Sequence, residues 1–306
     1  MPELPEVEAA RRGIADQLLR QPIVAHELVL PKLIIAPPGL GIDALSGRSI
    51  EDATRHGKYL TLWLGDLAAV VHLKLAGQIA ARGEAIPGFA AGHPVPAYDA
   101  PLPHKSTHLT LTFENGARLY LTDIRHWARI QLLPTEDLPA FASGLRLGPD
   151  AIAPDFTREV FDERIHGRTM ARLKPLLLDQ SFVAGLGNIY VDEALHRARL
   201  HPERLARTMT DAEVDNLYDA IVDILAIAVP LGGASILNGK ASPEHGAFPF
   251  VHGRQGQPCL ACGAAIVKTR VDGRGTYLCE VCQVMRDEGT GIRDAPTGGA
   301  GNEPGP

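Results

Sequence analysis

Hydrophobic and polar positions change period twice along this chain. Val7, Ile14 and Leu18 recur at roughly helical spacing and Gln21-Pro22 ends the pattern, which predicts a helix from Pro5 through Leu19. Pro5 suits the first turn of such a helix, and Glu6 and Glu8 suit its positive end. From Ile23 to about Leu133 the period shortens to two. Leu60, Leu62 and Leu64 alternate with Tyr59, Thr61 and Trp63, and Val71, Leu73 and Leu75 are expected on the next strand. Leu109, Leu111 and Phe113 alternate with His108, Thr110 and Thr112, after which Asn115-Gly116 turns the chain into Ala117–Leu121. Strands in such succession predict a sandwich or barrel-like layer. Gly83–Pro103, rich in Pro, Gly and Ala, reads as a long loop inserted between strands.

Beyond a linker expected over 135–150, the period becomes helical again. Short helices are expected over Met170–Leu178 and Asn188–Ala198, joined by the tight turn Gly185-Leu186-Gly187. Thr210-Asp211-Ala212-Glu213 is a capping box that opens a longer helix to about Ala228. Asn238–Pro249 reads as a loop and 285–306 as a disordered Gly/Pro-rich tail. The expected class is α+β: a β-layered domain with a leading helix over 1–134, a helical domain over 151–242 and an appendage over 250–284.

Composition narrows the class. The 306 residues, 45% of them hydrophobic and few aromatic, suit a globular protein of two domains plus an appendage. No run approaches the ~18 apolar residues that span a bilayer, and no signal peptide is evident, so a cytosolic enzyme-sized chain is expected.

The four cysteines form two knuckles, Cys259-Leu260-Ala261-Cys262 and Cys279-Glu280-Val281-Cys282, sixteen residues apart. That spacing reads as a structural zinc site in which four thiolates leave no position open for substrate; two disulfides are the alternative. Between the knuckles, Ile266–Leu278 reads as two short strands around Asp272-Gly273, with Arg274 just past the turn. Arg254–Arg286 carries five basic and two acidic residues, a local charge of +3 on a chain of net −6. A basic hairpin on an acidic protein suggests a local phosphate contact rather than bulk electrostatic binding.

The chain begins Met1-Pro2-Glu3. Removal of Met1 makes Pro2 a free secondary amine, which titrates near ~7.7–8.0 and is partly an uncharged nucleophile at cellular pH. The nearby helix N-terminus disfavours its charged form, and Glu3 stands beside it as a carboxyl able to move a proton. Attack on an aldehydic carbon would yield an iminium, an electron sink. Alone, the same residues also serve as an ordinary chain start and helix cap.

Taken together, Met1–Glu8, the turn Gly185-Leu186-Gly187-Asn188-Ile189-Tyr190 and the segment Gly273–Gln283 resemble the formamidopyrimidine-DNA glycosylase and endonuclease VIII family, in the same order over about residues 1–284. The resemblance implies an N-terminal β-sandwich domain, a helix–two-turn–helix DNA-binding domain and a C-terminal zinc-finger β-hairpin holding one zinc through Cys259, Cys262, Cys279 and Cys282. It implies excision of oxidised purines from double-stranded DNA and β,δ-elimination at the abasic site, by a monomer working in the bacterial cytosol on the nucleoid, away from membranes.

The site residues follow from the same resemblance. Pro2 matches the nucleophile that attacks C1′, Glu3 the general acid/base, and Glu6 a supporting carboxylate. Lys58 matches a lysine that approaches the phosphates and assists elimination. Asn188 and Arg274 match phosphate-gripping residues, Arg274 beside the reacting sugar, and Lys174 a residue near the lesion pocket. Leu75, Arg125 and Trp127 stand where the family's gap-filling trio is usually Met, Arg and Phe. Ser106 replaces a common DNA-contacting His, although His108 is retained. Gly232–Arg254, which would cap an extruded base, is shorter than usual, and Gly83–Pro103 is longer. These departures weaken a preference for 8-oxoguanine and leave the lyase machinery intact. Three other readings stand beside this one: the same lyase preferring oxidised pyrimidines, a non-catalytic zinc protein that senses damaged DNA, favoured if Met1 is retained, and an N-terminal-proline tautomerase, which the zinc hairpin and helical domain argue against.

Overall fold

The computed structural model describes residues 1–234, 236–237, 240–241 and 248–286. Helix α1 (Leu4–Gln17) starts at Glu3, whose backbone N–H donates to Glu6 Oε2 at 2.8 Å. Its apolar stripe of Val7, Ala10 and Ile14 is buried. The helix stops two residues short of Leu19, because Leu19 instead bridges to Ile50 and Arg20 turns left-handed at φ 62°.

Ten strands follow: β1 (Ile23–Leu28), β2 (Ile34–Ile35), β3 (Asp52–His56), β4 (Tyr59–Leu64), β5 (Leu67–His72), β6 (Gly77–Arg82), β7 (Phe89–Gly92), β8 (Thr107–Phe113), β9 (Arg118–Asp123) and β10 (Arg129–Pro134). They make two five-stranded sheets, ordered β1-β8-β9-β6-β7 and β2-β10-β5-β4-β3. In β4 the Leu60, Leu62 and Leu64 side chains face inward, as their alternation predicts. They meet Ile14, Leu18, Ile79, Leu109 and Leu111 in one core, where truncating a Leu or Ile to Ala costs about 2–5 kcal/mol.

Two expectations change here. β5 ends at His72, so Leu73 and Leu75 are not on it; Lys74 at φ 52° breaks the strand and Gly77 N–H closes a turn onto Leu73 O at 2.9 Å. The Gly83–Pro103 segment is not wholly loop either, since it contains β7 paired along β6. Phe89 of β7 lies over Gly13, where a Cβ would approach its ring to 2.4 Å, so this edge strand packs directly on α1.

The second half is helical: α2 (Leu138–Gly144), α3 (Arg158–His166), α4 (Leu173–Leu178), α5 (Asn188–Arg197) and α6 (Asp211–Ala228). The expected linker holds α2, whose Leu138 and Phe141 cover Ala68, Val70 and Leu133 of the sheet. α4 begins at Leu173 rather than Met170, because Arg172 is extended and bridges to Leu205. The α6 capping box forms as predicted, with Glu213 N–H on Thr210 Oγ1 at 3.3 Å and Thr210 N–H on Glu213 Oε2 at 2.9 Å. Phe161, Leu177, Tyr190 and Ile221 form this half's core, and Leu4 of α1 is built into it.

Strands β11 (Ile236–Leu237) and β12 (Lys240–Ala241) pair, as do β13 (Val267–Val271) and β14 (Arg274–Leu278). Asp272 and Gly273, at φ 46° and 73°, make the tight turn expected of Asp-Gly between β13 and β14. The predicted tail lies outside the described residues from 287 onward, as do most of the predicted loop residues 238–249.

A buried charge cluster locks the halves together. Arg55 bridges Glu8 at 3.1 Å and Asp150 at 3.1 Å, while Asp150 also accepts the Gly57 N–H at 2.6 Å. Gly57-Lys58 is the two-residue turn between β3 and β4, so this cluster fixes the place from which Lys58 projects.

Candidate active site

Segments from the chain start, the sandwich, α5 and the hairpin tip enclose one cleft of about 670 Å³. Pro2, Glu3, Glu6, Leu75, Arg125, Asn188 and Arg274 all line it. Seven of the residues expected from sequence are thus brought together. Lys58, Lys174 and Trp127 do not line the cleft.

Glu3 is 1% exposed and sits on the N-terminus of α5. Its Oε1 accepts Ile189 N–H at 3.0 Å and its Oε2 accepts Tyr190 N–H at 3.4 Å. First-turn amides have no partner within their helix, so a carboxylate here satisfies them and meets the positive dipole end. Glu6 lies behind, accepting Glu3 N–H at 2.8 Å, Tyr190 Oη–H at 2.6 Å and Ala234 N–H at 3.1 Å. Burial, reinforced by the Glu3 charge, pushes its carboxyl pKa up to about 7 against the opposing Tyr190 bond.

Lys58 is 7% exposed and has no hydrogen-bond or ion-pair partner among the described residues. Burial lowers its pKa, the Glu3 and Glu6 carboxylates oppose that, and Arg274 adds to the lowering. An amine so placed gives up its proton more readily than a solvated lysine.

Fully buried Asp123 builds the loop that carries Arg125. It accepts Arg125 N–H at 2.8 Å, Trp127 N–H at 2.7 Å and Ala128 N–H at 2.7 Å. The Arg125 guanidinium then lies 5.3 Å from the centre of the Trp127 ring, which is 52% exposed. His108 is buried, with Nε2 at 2.8 Å from Asp123 O, and so braces the same loop. Among the predicted wedge residues, Arg125 and Trp127 stand exposed and Leu75 is half-buried.

Asn188 opens α5 and donates from Nδ2 to Gly275 O at 2.8 Å, which draws the hairpin tip over the helix start. Arg274, at that tip, is exposed. Lys174 departs from expectation. It is 0% exposed, and its ammonium donates to Asp192 Oδ1 at 2.6 Å, Thr276 Oγ1 at 2.8 Å and Gly275 O at 3.1 Å. All three of its protons are committed inside the protein, so Lys174 holds the hairpin.

Asp192 completes that anchor: its Oδ2 accepts Tyr277 N–H of β14 at 3.1 Å and faces His252 Nδ1 at 2.8 Å. Cys259, Cys262, Cys279 and Cys282 bring their sulfurs within 4.8 Å of one another, and none forms a disulfide. A tetrahedral zinc with Zn–S near 2.3 Å needs sulfurs about 3.8 Å apart, and Cys259 and Cys282 lie 3.9 Å apart. The donor set and its spacing fit one structural zinc ion, and His196 Nε2, 3.3 Å from Cys259 Sγ, supports that sulfur.

Sequence reasoning missed Tyr190, Asp192 and His252, whose partners lie in other elements. It also missed Gly92–Val95 of the inserted segment, which forms one wall of the cleft. Only the length of the insertion signalled it.

Comparison with known proteins agrees with this geometry. Residues 1–130 match the formamidopyrimidine-DNA glycosylase N-terminal domain, 147–239 the formamidopyrimidine-DNA glycosylase H2TH domain and 256–284 the zinc finger found in FPG and IleRS. The formamidopyrimidine-DNA glycosylase of Pelotomaculum thermopropionicum is 39% identical, covering 94% of this chain and all of the relative. That of Heliobacterium modesticaldum is 40% identical, covering 92% and 100%. A complex of the wild-type Lactococcus lactis enzyme with DNA containing N7-benzyl-Fapy-dG superposes with a TM-score of 0.79 at 34% identity, covering 93% of this chain and 100% of that one. A complex of the same enzyme with DNA containing an abasic site gives 0.78 at 34% identity, covering 92% and 100%.

Proposed function

The chain belongs to the formamidopyrimidine-DNA glycosylase family of DNA-repair enzymes, and we propose that it excises oxidised purines from duplex DNA and cleaves the resulting abasic site by β,δ-elimination through a Schiff base at Pro2. The observation that carries this reading is the Glu3 carboxylate, fixed by two α5 amides in the same cleft as Pro2.

A base inside a duplex is out of reach, so the damaged nucleotide turns out into the cleft. Arg125 and Leu75 fill the gap left in the stack, with Trp127 beside them, and Asn188, Arg274 and Lys58 hold the bent backbone by its phosphates. After Met1 is removed, the Pro2 nitrogen lone pair attacks C1′. The Pro2 ammonium so formed passes its proton to the Glu3 carboxylate, and the glycosidic bond breaks as the base leaves with its electron pair and takes that proton from Glu3. The nitrogen lone pair then expels the ring oxygen, which leaves C1′ with its electron pair and takes a proton from solvent, giving an iminium between Pro2 and C1′. That cation draws electrons from the C2′–H bond. Loss of the C2′ proton expels the 3′ phosphate, and a second elimination expels the 5′ phosphate. Water then hydrolyses the iminium and frees Pro2. A Lys58 amine depressed by burial suits the proton transfers of these later steps.

Borohydride reduction during reaction with a duplex containing one abasic site tests this directly. A covalent adduct that mass spectrometry maps to Pro2, and that Pro2→Gly does not form, is the expected result. No adduct from zinc-loaded protein lacking Met1 overturns the reading. A panel of oxidised purine and pyrimidine lesions under equal conditions then sets the preference.

A further inference from the structure

The inserted segment between β6 and β8 reaches the cleft at Gly92–Val95 and is built to stay there. His93 N–H bonds Gly77 O at 2.9 Å, and Tyr98 Oη–H bonds Gly92 O at 2.8 Å. Buried Gln78 donates from Nε2 to both His93 O and Pro96 O, each at 2.8 Å. Gly92 holds φ 108° where a Cβ would come within 2.6 Å of Gly77 O, so only glycine allows this close approach. The wall is therefore tied to β6 by three hydrogen bonds and braced within itself by a fourth, from Tyr98 to Gly92.

His93 is the one residue of this wall with a side chain able to donate a hydrogen bond. Its Nδ1 lies 3.2 Å from Val95 N and 3.5 Å from Val95 O, and the shorter contact, with Nδ1 accepting the Val95 N–H, goes with the neutral tautomer that carries its proton on Nε2. Burial favours that neutral form, and positive charge at the chain start and on Arg125 favours it further, against Asp123 and the Val95 contact. Nε2 has no partner among the described residues.

Building on the proposed activity, we infer that His93 is a base-binding residue that donates from Nε2 to a carbonyl oxygen of the everted oxidised base. The chemistry is suited to 8-oxoguanine and formamidopyrimidines, which present such oxygens, and it involves the base and not the sugar. An abasic site has no base to receive this bond, so its cleavage is independent of His93.

The test compares single-turnover excision of 8-oxoguanine with cleavage of a preformed abasic site, for the zinc-loaded full chain and two variants. His93→Asn keeps a side-chain acceptor for Val95 N–H, as Asn does in turns, while withdrawing the outer donor. His93→Gln retains a donor. We expect His93→Asn to slow excision about tenfold, the loss of one hydrogen bond, with abasic cleavage unchanged and partial recovery in His93→Gln. Equal slowing of both reactions assigns His93 to the loop alone and overturns the inference, as does no change in either. Failure of the wild-type chain to cleave abasic DNA removes the proposed activity and this inference with it.

Discussion

Glu3 Oε1 accepts the backbone N–H of Ile189 at 3.0 Å across 186 residues of chain. One carboxylate thereby joins the chain start to the helical half and is oriented before any substrate arrives. Preorganisation of this kind lets a proton donor act without first ordering itself.

Glu3→Gln keeps the shape and one acceptor but has no proton to give. Base excision should fall roughly 10²–10⁴-fold, the usual contribution of a positioned acid, with little change in melting temperature. Trapping of Pro2 on a preformed abasic site should persist. Excision at the wild-type rate would remove Glu3 from the chemistry.

The Lys174–Asp192 pair makes the next prediction. Both side chains are wholly buried, so Lys174→Met strands the Asp192 charge and should cost about 3–5 kcal/mol in urea unfolding. DNA affinity should fall with it, because Gly275 and Thr276 lose their anchor beside Arg274. Adding Asp192→Asn should return part of the stability. A residue that touched DNA directly would lose affinity with stability intact.

How much of this was legible in the sequence depends on the reach of each interaction. The Thr210–Glu213 box, the Asp272-Gly273 turn and the Leu60-Leu62-Leu64 face formed as read, because each is decided within a few residues. Strand β7 and helix α2 were hidden in a loop and a linker, being short and stabilised by packing on α1 and on the sheet. The buried anchorage of Lys174 gave no local signal, because its partners Asp192 and Thr276 lie 18 and 102 residues away. His93 gave no local signal, since its place follows from the register of β6 with β7.

Stability should carry the mark of Glu6. Its carboxyl pKa rises from 4.5 to about 7 on folding, through burial and then the Glu3 charge, so the native state holds the proton more tightly than the unfolded chain. That contribution is complete below about pH 4.5 and is lost as pH climbs through about 7. Melting curves from pH 5 to pH 8 should therefore decline for the wild-type chain and flatten in Glu6→Gln, whose amide does not titrate. Parallel curves for the two proteins would refute this.

Zinc should be needed for the hairpin and not for the sandwich. Cys279 is fully buried in a small cluster with Val251, Ile266 and Tyr277, too few apolar groups to hold a two-stranded ribbon alone. Cys279→Ser should lower zinc from one ion per chain to none, as read by metal analysis, and abolish tight DNA binding. The far-ultraviolet signal of the two five-stranded sheets should remain. Retained affinity in the metal-free variant would count against a role for the hairpin in binding.

Gly187 offers the sharpest separation of geometry from stability. It sits just before α5 in extended backbone that any residue adopts, so its lack of a side chain is not a conformational need. A Cβ there would fall 2.3 Å from the Glu3 Cδ and 2.5 Å from its Oε1. Gly187→Ala must push the carboxylate off the Ile189 and Tyr190 amides, and overpacking of this sort costs about 1–3 kcal/mol. Excision should drop by about as much as in Glu3→Gln, although the acid is still present, because a displaced group of the right chemistry loses its catalytic effect. Gly41→Ala is the control: its backbone is also extended and no atom lies within 4 Å of the added carbon, so it should behave as wild type. Normal excision by Gly187→Ala would show that the observed seat of Glu3 is not the one from which it acts.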